Sequence, residues 1–303
     1  MTSSTTPDAH SEAEHARPPR APIGASSEAI RAHYDLSEEF FQIVLGPQLV
    51  YSCAMFDAAD DLESAQLHKL DYHIEAARAA GTARVLDIGC GWGALLLRLV
   101  EHAGVKRAVG LTLSRSQAAW IRRVPHAGIE VREEDWRDHR PSRPYDAIIS
   151  IGAFEHFVHP GLDEARKLQA YREFFAFCEH ALVSRGWLSL QTIAWAAPRE
   201  FIVGIDSKFI SERIFRESDL PLISECIRAA EGKFELRLLR NDGDHYYRTL
   251  RLWERNLSAR RDDAVALVGE DKVAEFRKYL REAAAGFKIG ATCLLRLSFV
   301  KRT

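Results

Sequence analysis

The stretch Val85-Leu86-Asp87-Ile88-Gly89-Cys90-Gly91-Trp92-Gly93-Ala94 holds residues suited to gripping a charged, nucleotide-sized ligand. A short apolar run ends in Asp87, Gly89, Gly91 and Gly93 stand at alternate positions, and the apolar-periodic segment Ala94–Val100 follows. This order predicts a buried parallel strand, a tight turn and a helix N-terminus, where backbone can approach a ligand closely. Two ligands compete. Gly89, Gly91 and Ala94 satisfy the glycine half of a dinucleotide fingerprint, but the next strand ends Gly110-Leu111-Thr112-Leu113-Ser114 without the carboxylate such a fingerprint needs. Asp87 would repel a pyrophosphate, whereas it can hold loop amides or meet a cationic amino-acid portion. S-adenosylmethionine is therefore favoured, and a nicotinamide dinucleotide is the outside alternative. A second reactive centre is Ile151-Gly152-Ala153-Phe154-Glu155-His156-Phe157. A carboxylate in so apolar a setting must be paired, hydrogen-bonded or protonated, which makes Glu155 a candidate proton acceptor; the bland alternative is a helix cap.

These stretches need a scaffold that brings them together. At 303 residues, 47% of them hydrophobic, the chain can bury one large core with an appended subdomain, or two small ones. Strands are expected near 84–88, 107–113, 128–132, 145–151 and 186–193, with helices near 93–103, 114–123 and 164–183. That alternation is the mark of an α/β parallel sheet covered on both faces, with its ligand beyond the strands' carboxyl ends. Residues 1–25 read as a disordered arm, 26–82 as a helical cap, 83–193 as a Rossmann-like core, and 194–232 as a helical lid inserted after the fifth strand. Residues 233–303 read as completion of the sheet: a strand near 234–240, long helices near 246–260 and 269–286, and the strand Cys293–Val300.

Balanced charge, 41 basic against 43 acidic residues, speaks against a nucleic-acid surface. No apolar run reaches membrane-spanning length and no signal-peptide pattern is seen, so a cytoplasmic protein is expected. Cysteines 53, 90, 178, 226 and 293 are scattered, indicating neither a disulfide framework nor a metal site.

Six motifs in order carry a resemblance that covers about Ala29–Thr303: His33-Tyr34-Asp35-Leu36-Ser37; Tyr51-Ser52-Cys53-Ala54; Val85–Gly93; Gly110–Ser114 with Gln117; Ser150–Phe157; and His245-Tyr246 with Thr249-Leu250 and Trp253. The chain resembles the cyclopropane-fatty-acid synthase and mycolic-acid cyclopropane synthase family of S-adenosylmethionine-dependent methyltransferases. The resemblance implies the class I methyltransferase fold. It implies that Tyr51 and Ser52 close over the methionine portion of the cofactor, that Gly89 and Gly91 approach it by backbone, and that Thr112, Leu113 and Gln117 meet the ribose. Trp136 would cover the adenine and Asp135 accept from its amino group, with Asp87 and Ile151 completing the cofactor set; core packing and a helix cap are the plain readings of Trp136 and Asp135. The family's bicarbonate-holding glutamate, cysteine and tyrosine match Glu155, Cys53 and Tyr246, and His156 joins the catalytic candidates. Trp195, Phe201 and Phe209 are candidates for a substrate tunnel.

The chain departs from the family at Leu190-Gln191-Thr192-Ile193, where members with the bicarbonate site read histidine in place of Gln191. Glutamine cannot carry charge, which weighs against bicarbonate. Methyl transfer to a carbon of an alkene or other electron-rich centre follows, with Tyr51, Phe154 and Tyr246 offering ring faces to the cationic carbon and Glu155 taking the proton. The acceptor would be a hydrophobic small molecule or acyl chain, free or on an acyl carrier, for which Arg248, Arg251 and Arg255 offer a basic face if that face is not simply solvated. The alternatives are N-methylation of a small amine, as in the related plant alkaloid enzymes that keep a Glu-His pair, and a cofactor-binding protein without transferase activity.

Overall fold

The computed structural model describes residues 24–26, 28, 29, 37–58, 60–123, 125–198, 201 and 217–303. The expectations for the arm before residue 24, for His33–Leu36 and for Phe209 lie outside them.

Seven strands form one sheet: β1 (Arg84–Ile88), β2 (Arg107–Thr112), β3 (Ile129–Glu133), β4 (Tyr145–Ile151), β5 (Leu182–Trp195), β6 (Phe234–Asn241) and β7 (Thr292–Lys301). Their order is β3-β2-β1-β4-β5-β7-β6. The first five run parallel, and β7 runs antiparallel to both β5 and β6. The chain thus leaves β1 toward β2 on one side and returns to β4 on the other, which opens a crevice at the carboxyl ends of β1 and β4.

Both faces of the sheet are covered. On one face α2 (Leu62–Ala76) and α3 (Ala94–Glu101) bury Leu70, Ile74, Leu95, Leu96 and Leu99 against Val85, Ala147 and Ile149. On the other, α5 (Glu164–Ala181) and α6 (Ile223–Ala230) bury Tyr171, Phe174, Phe175 and Cys226 against Leu188, Leu190 and Phe299. Between α3 and α5, α4 (Arg115–Arg123) follows β2. A third core unites α1 (Glu38–Leu45) with α7 (Gly243–Ala259), α8 (Arg261–Val268) and α9 (Glu270–Lys288), enclosing Phe40, Phe41, Trp253 and Phe276 with Trp92 of the glycine turn.

Local chemistry explains where elements begin and end. Ser37 caps α1 by accepting from the Phe40 N–H at 3.1 Å, and Gly46, at φ +88°, ends it. Asp61 and Asp163 cap α2 and α5 in the same way. The two long C-terminal helices expected near 246–260 and 269–286 are α7 and α9, and the stretch left between them forms a further helix, α8, bounded by Arg260 and by Gly269 at φ +84°. β5 begins earlier than the expected residue 186: the Tyr145–Leu182 pairing precedes an irregularity at Arg185, whose φ is +61°.

Phe174 is fully buried, and its ring lies 5.1 to 5.6 Å from those of Trp136, Phe154, Phe157 and Phe175. Phe174→Ala is expected to cost about 3–5 kcal/mol, read as a lower denaturant midpoint at unchanged slope; a loss below about 1 kcal/mol would mean that this face of the sheet is loosely packed.

Candidate active site

The crevice widens into a cavity whose walls include all eleven residues expected at the cofactor: Tyr51, Ser52, Asp87, Gly89, Gly91, Thr112, Leu113, Gln117, Asp135, Trp136 and Ile151. Gly89 shows why glycine is required. At φ +82° it lets its own and the Cys90 N–H donate to the Leu111 carbonyl at 3.0 and 2.9 Å, and a Cβ there would stand 2.5 Å from the Ala153 Cβ. The turn after β1 and the loop after β4 are therefore clasped together, leaving bare backbone toward the cavity.

Thr112 and Gln117 act as a unit. The Thr112 hydroxyl donates to Gln117 Oε1 at 2.7 Å and its oxygen accepts from the Ser114 N–H, which turns the Gln117 amide nitrogen outward as a donor. Asp135 and Trp136 both line the cavity and both brace the fold, Asp135 in a turn with no helix for it to cap. Asp135 Oδ1 accepts from the Arg137 N–H at 2.9 Å while the residue lines the cavity, and Trp136 lines it while packing on Phe157 and Phe174.

The irregular segment Val50–Phe56 closes one wall, and two helices satisfy its backbone. From α2, Gln66 Nε2 donates to the Ser52 carbonyl at 2.9 Å and Lys69 Nζ donates to Ser52 Oγ at 2.8 Å. From α7, Thr249 Oγ1 accepts from the Ala54 N–H and His245 Nδ1 from the Phe56 N–H. This brings Cys53 and Tyr246 into one core, which Ile193 of β5 also joins. Sequence reasoning missed Lys69, which lines the cavity. The signal was present in Gln66, Lys69 and His73, three polar residues spaced i, i+3, i+7 on one helix face beside the buried Leu70 and Ile74.

Glu155 lies in the 3₁₀ turn Phe154–His156 and is buried. Its Oε1 accepts from the Ile193 N–H at 2.7 Å, and Oε2 is buried with no hydrogen-bond partner. Burial pushes the carboxyl up to about 7, against the lowering effects of the Ile193 amide and the Thr192 hydroxyl. Through Ile193 it is joined to the core that holds Cys53 and Tyr246, although none of the three lines the cavity. The buried Cys53 thiol is pushed up to about 12 and donates to the Ala54 carbonyl at 3.1 Å.

Behind them Arg296, fully buried, donates through Nε to Gln191 Oε1 at 2.9 Å, through Nη1 to Asp242, and through Nη2 to the Ala54 carbonyl at 3.1 Å. His73 Nε2 also meets Gln191 Oε1, at 3.2 Å. Gln191 thus has its oxygen fully engaged.

The remaining candidates are placed differently from expectation. His156 lines the cavity, with Nδ1 2.7 Å from Ser218 Oγ, and burial pushes it down to about 4, so it is a neutral wall residue near pH 7 and not an acid. Phe154 stacks on Tyr171 at 4.4 Å inside the core and does not line the cavity. Phe201 is 72% exposed, so it lines no tunnel where it stands. Trp195 is partly buried at the end of β5, its Nε1 donating to Asp219 at 3.4 Å, and it too stands outside the cavity lining. On the basic face Arg248 is spent on the Asp60 carbonyl and the Phe56 ring, and Arg251 pairs with Glu254.

Comparison with known proteins agrees with this geometry. The family model for mycolic acid cyclopropane synthetase matches residues 24–297. Cyclopropane mycolic acid synthase 1 of Mycobacterium tuberculosis is 34% identical over 279 residues, 86% of this chain and 92% of that protein. Cyclopropane mycolic acid synthase 2 of Mycobacterium leprae is 33% identical over 310 residues, 96% and 99% of the two chains. The solved structure of the mycolic acid cyclopropane synthase CmaA1 complexed with SAH and CTAB superposes with a TM-score of 0.83 at 32% identity, over 92% of this chain and 99% of that one. Coclaurine N-methyltransferase shares the fold, with a TM-score of 0.74 at 22% identity over 92% of this chain and 84% of that one. The chain belongs to the mycolic acid cyclopropane synthetase family and has the class I methyltransferase fold.

The buried carboxyl of Glu155 makes stability depend on pH. With a folded value of about 7 against 4.5 for the free group, its contribution is whole below about pH 4.5 and is lost as pH rises through 7. Denaturant unfolding of wild type and Glu155→Gln should therefore show the variant gaining relative stability between about pH 5 and 8. A difference independent of pH would mean a solvated carboxylate.

Proposed function

We propose that this family member is an S-adenosylmethionine-dependent transferase that places a methyl group on a carbon of a hydrophobic acyl or other lipid-like acceptor. Its family membership supports enzymatic methyl transfer, and the cavity supports the donor: a bare-backbone cradle at Gly89, an outward amide at Gln117 and an indole at Trp136. When bound, the cofactor supplies an electrophilic methyl carbon on a sulfonium. The protein's work is then to position that group and to exclude water.

Tyr51 and Ser52 close the wall on one side, and Trp92 packs behind the glycine turn, keeping solvent from the reacting end. Positive charge left on the acceptor carbon would be stabilised by the ring face of Tyr51, which lines the cavity. The observation that carries the mechanism is Glu155 Oε2, a buried carboxylate oxygen with no hydrogen-bond partner among the described residues, on a carboxyl pushed up to about 7 by burial. It is the group that takes the proton. Loss of that proton from the transferred methyl closes a cyclopropane; loss from a neighbouring carbon gives a C-methylated alkene.

The residues present do not fit a bicarbonate-held proton relay. Gln191 has no ionisable proton and its oxygen is occupied by Arg296 and His73, while the Cys53 thiol stays protonated. We therefore assign proton removal to Glu155 itself and favour simple C-methylation. Delivery of the acceptor free or on an acyl carrier, and action in the cytoplasm, belong to the same reading. The five cysteines, all unpaired, support a reducing compartment, and no helix among the described residues is long and apolar enough to cross a membrane.

Incubation with methyl-labelled donor and lipid extract should place the label on carbon; label on nitrogen would favour the amine reading, and no product in any extract a non-catalytic role. Glu155→Gln should keep S-adenosylhomocysteine affinity within about twofold while turnover falls by roughly 10²–10⁴. Equal loss of both would remove Glu155 from the chemistry.

A further inference from the structure

Two opposite charges face the same cavity without meeting each other. Lys69, on α2, is fully buried, and its one hydrogen bond among the described residues is to Ser52 Oγ at 2.8 Å. Among the described residues no carboxylate oxygen lies within 4.0 Å of its Nζ. Asp87, at the end of β1, is 2% exposed and forms no ion pair among the described residues. Both line the cavity, as does Ser52.

A buried charge that the protein leaves without an ion partner is costly, and its energy falls when a ligand supplies the partner. Burial accordingly pulls Lys69 down to about 7 and Asp87 up to about 7, and each partly relieves the other across the cavity. The other buried cation nearby cannot serve a ligand, because Arg296 is engaged by Asp242, Gln191 and two carbonyls. Arg137, also in the lining, stands at the opposite end, 5.1 Å over the Trp136 ring and donating to the Phe157 carbonyl. The cavity therefore carries Lys69 and Asp87 at the α2 and β1 end, and Trp136 and Phe157 with Glu134, Asp135 and Arg137 at the other.

We infer that Lys69 and Asp87 form a zwitterion subsite, in which the Lys69 ammonium takes the α-carboxylate of the methyl donor's amino-acid end and the Asp87 carboxylate takes its α-ammonium. Ser52 Oγ, held by Lys69, links this recognition to the Tyr51–Ser52 wall. The inference rests on the cavity being the donor site proposed above. It assigns to Lys69 the part of the ligand that neither the glycine turn nor Gln117 can match with a full positive charge.

Titration calorimetry with three ligands tests it on the full chain: S-adenosylhomocysteine, S-adenosyl-3-thiopropylamine, which lacks only the carboxylate, and 5′-methylthioadenosine, which lacks the whole amino-acid end. Wild type should prefer the first over the second by roughly 10- to 100-fold. In Lys69→Met that preference should collapse to within about threefold, while methylthioadenosine affinity changes by less than about threefold. Equal binding of the first two ligands by wild type overturns the subsite without any variant, so the result stands even if Lys69→Met fails to fold. Uniform weakening of all three ligands in Lys69→Met overturns it in favour of a prop for Ser52. Failure of wild type to bind any of the three overturns the donor reading itself, and the subsite with it.

Discussion

The guanidinium of Arg296 is the point on which the active end of the molecule is assembled. It is fully buried in β7, and it reaches β5 through Gln191, the start of α7 through Asp242, and the irregular segment through the carbonyls of Cys53 and Ala54. A planar donor with five N–H groups can serve four such acceptors at fixed angles, which a lysine could not. Because Asp242 also pairs with Arg240, its carboxyl is held below the usual range despite burial. The cation is thus matched, and the segment that carries Cys53 is fastened where no strand or helix would satisfy its backbone.

That fastening dictates the electrostatics of its neighbours. Burial depresses both Lys69 and His73, which lie on the same face of α2, and the Arg296 charge adds to it. His73, driven well below its ordinary value, is neutral and serves Ser189 and Gln191 as a hydrogen-bonding spacer. Lys69 stays at the cavity edge with Asp87 opposite. The polar stripe of α2 therefore has two uses: its inner end braces the sheet, and its outer end faces the ligand space.

Gln191 belongs to this network. With its oxygen bound by Arg296 and His73, it orders β5, and β5 in turn presents the Ile193 amide that orients Glu155. One Glu155 oxygen is fixed and the other left bare, an arrangement suited to holding a single proton in a dry place. The same strand thus links Gln191 to Glu155, the carboxyl proposed to take the proton.

Features that depend on local backbone and on period could be read from the order of residues alone. The glycine turn, Asp87, the capped helices and the alternating strands were legible because Gly89, Ser37 and Asp163 answer demands made within a few residues. Asp87, Thr112, Asp135, Trp136 and Ile151 followed from their places at strand ends, since a parallel sheet opens its crevice there, whereas Tyr51, Ser52, Leu113 and Gln117 were implied by the family resemblance. What only the tertiary structure decided is which polar groups go inside. Lys69, His73 and Arg296 carry residue types that a sequence reading assigns to solvent, and their burial depends on partners that lie 17 to 243 positions away. The exposure of Phe201 and the inward turn of Phe154 are decided the same way. Periodicity shows which face of an element is buried; the cost of stripping water from a charge is settled only when the opposing surface is in place.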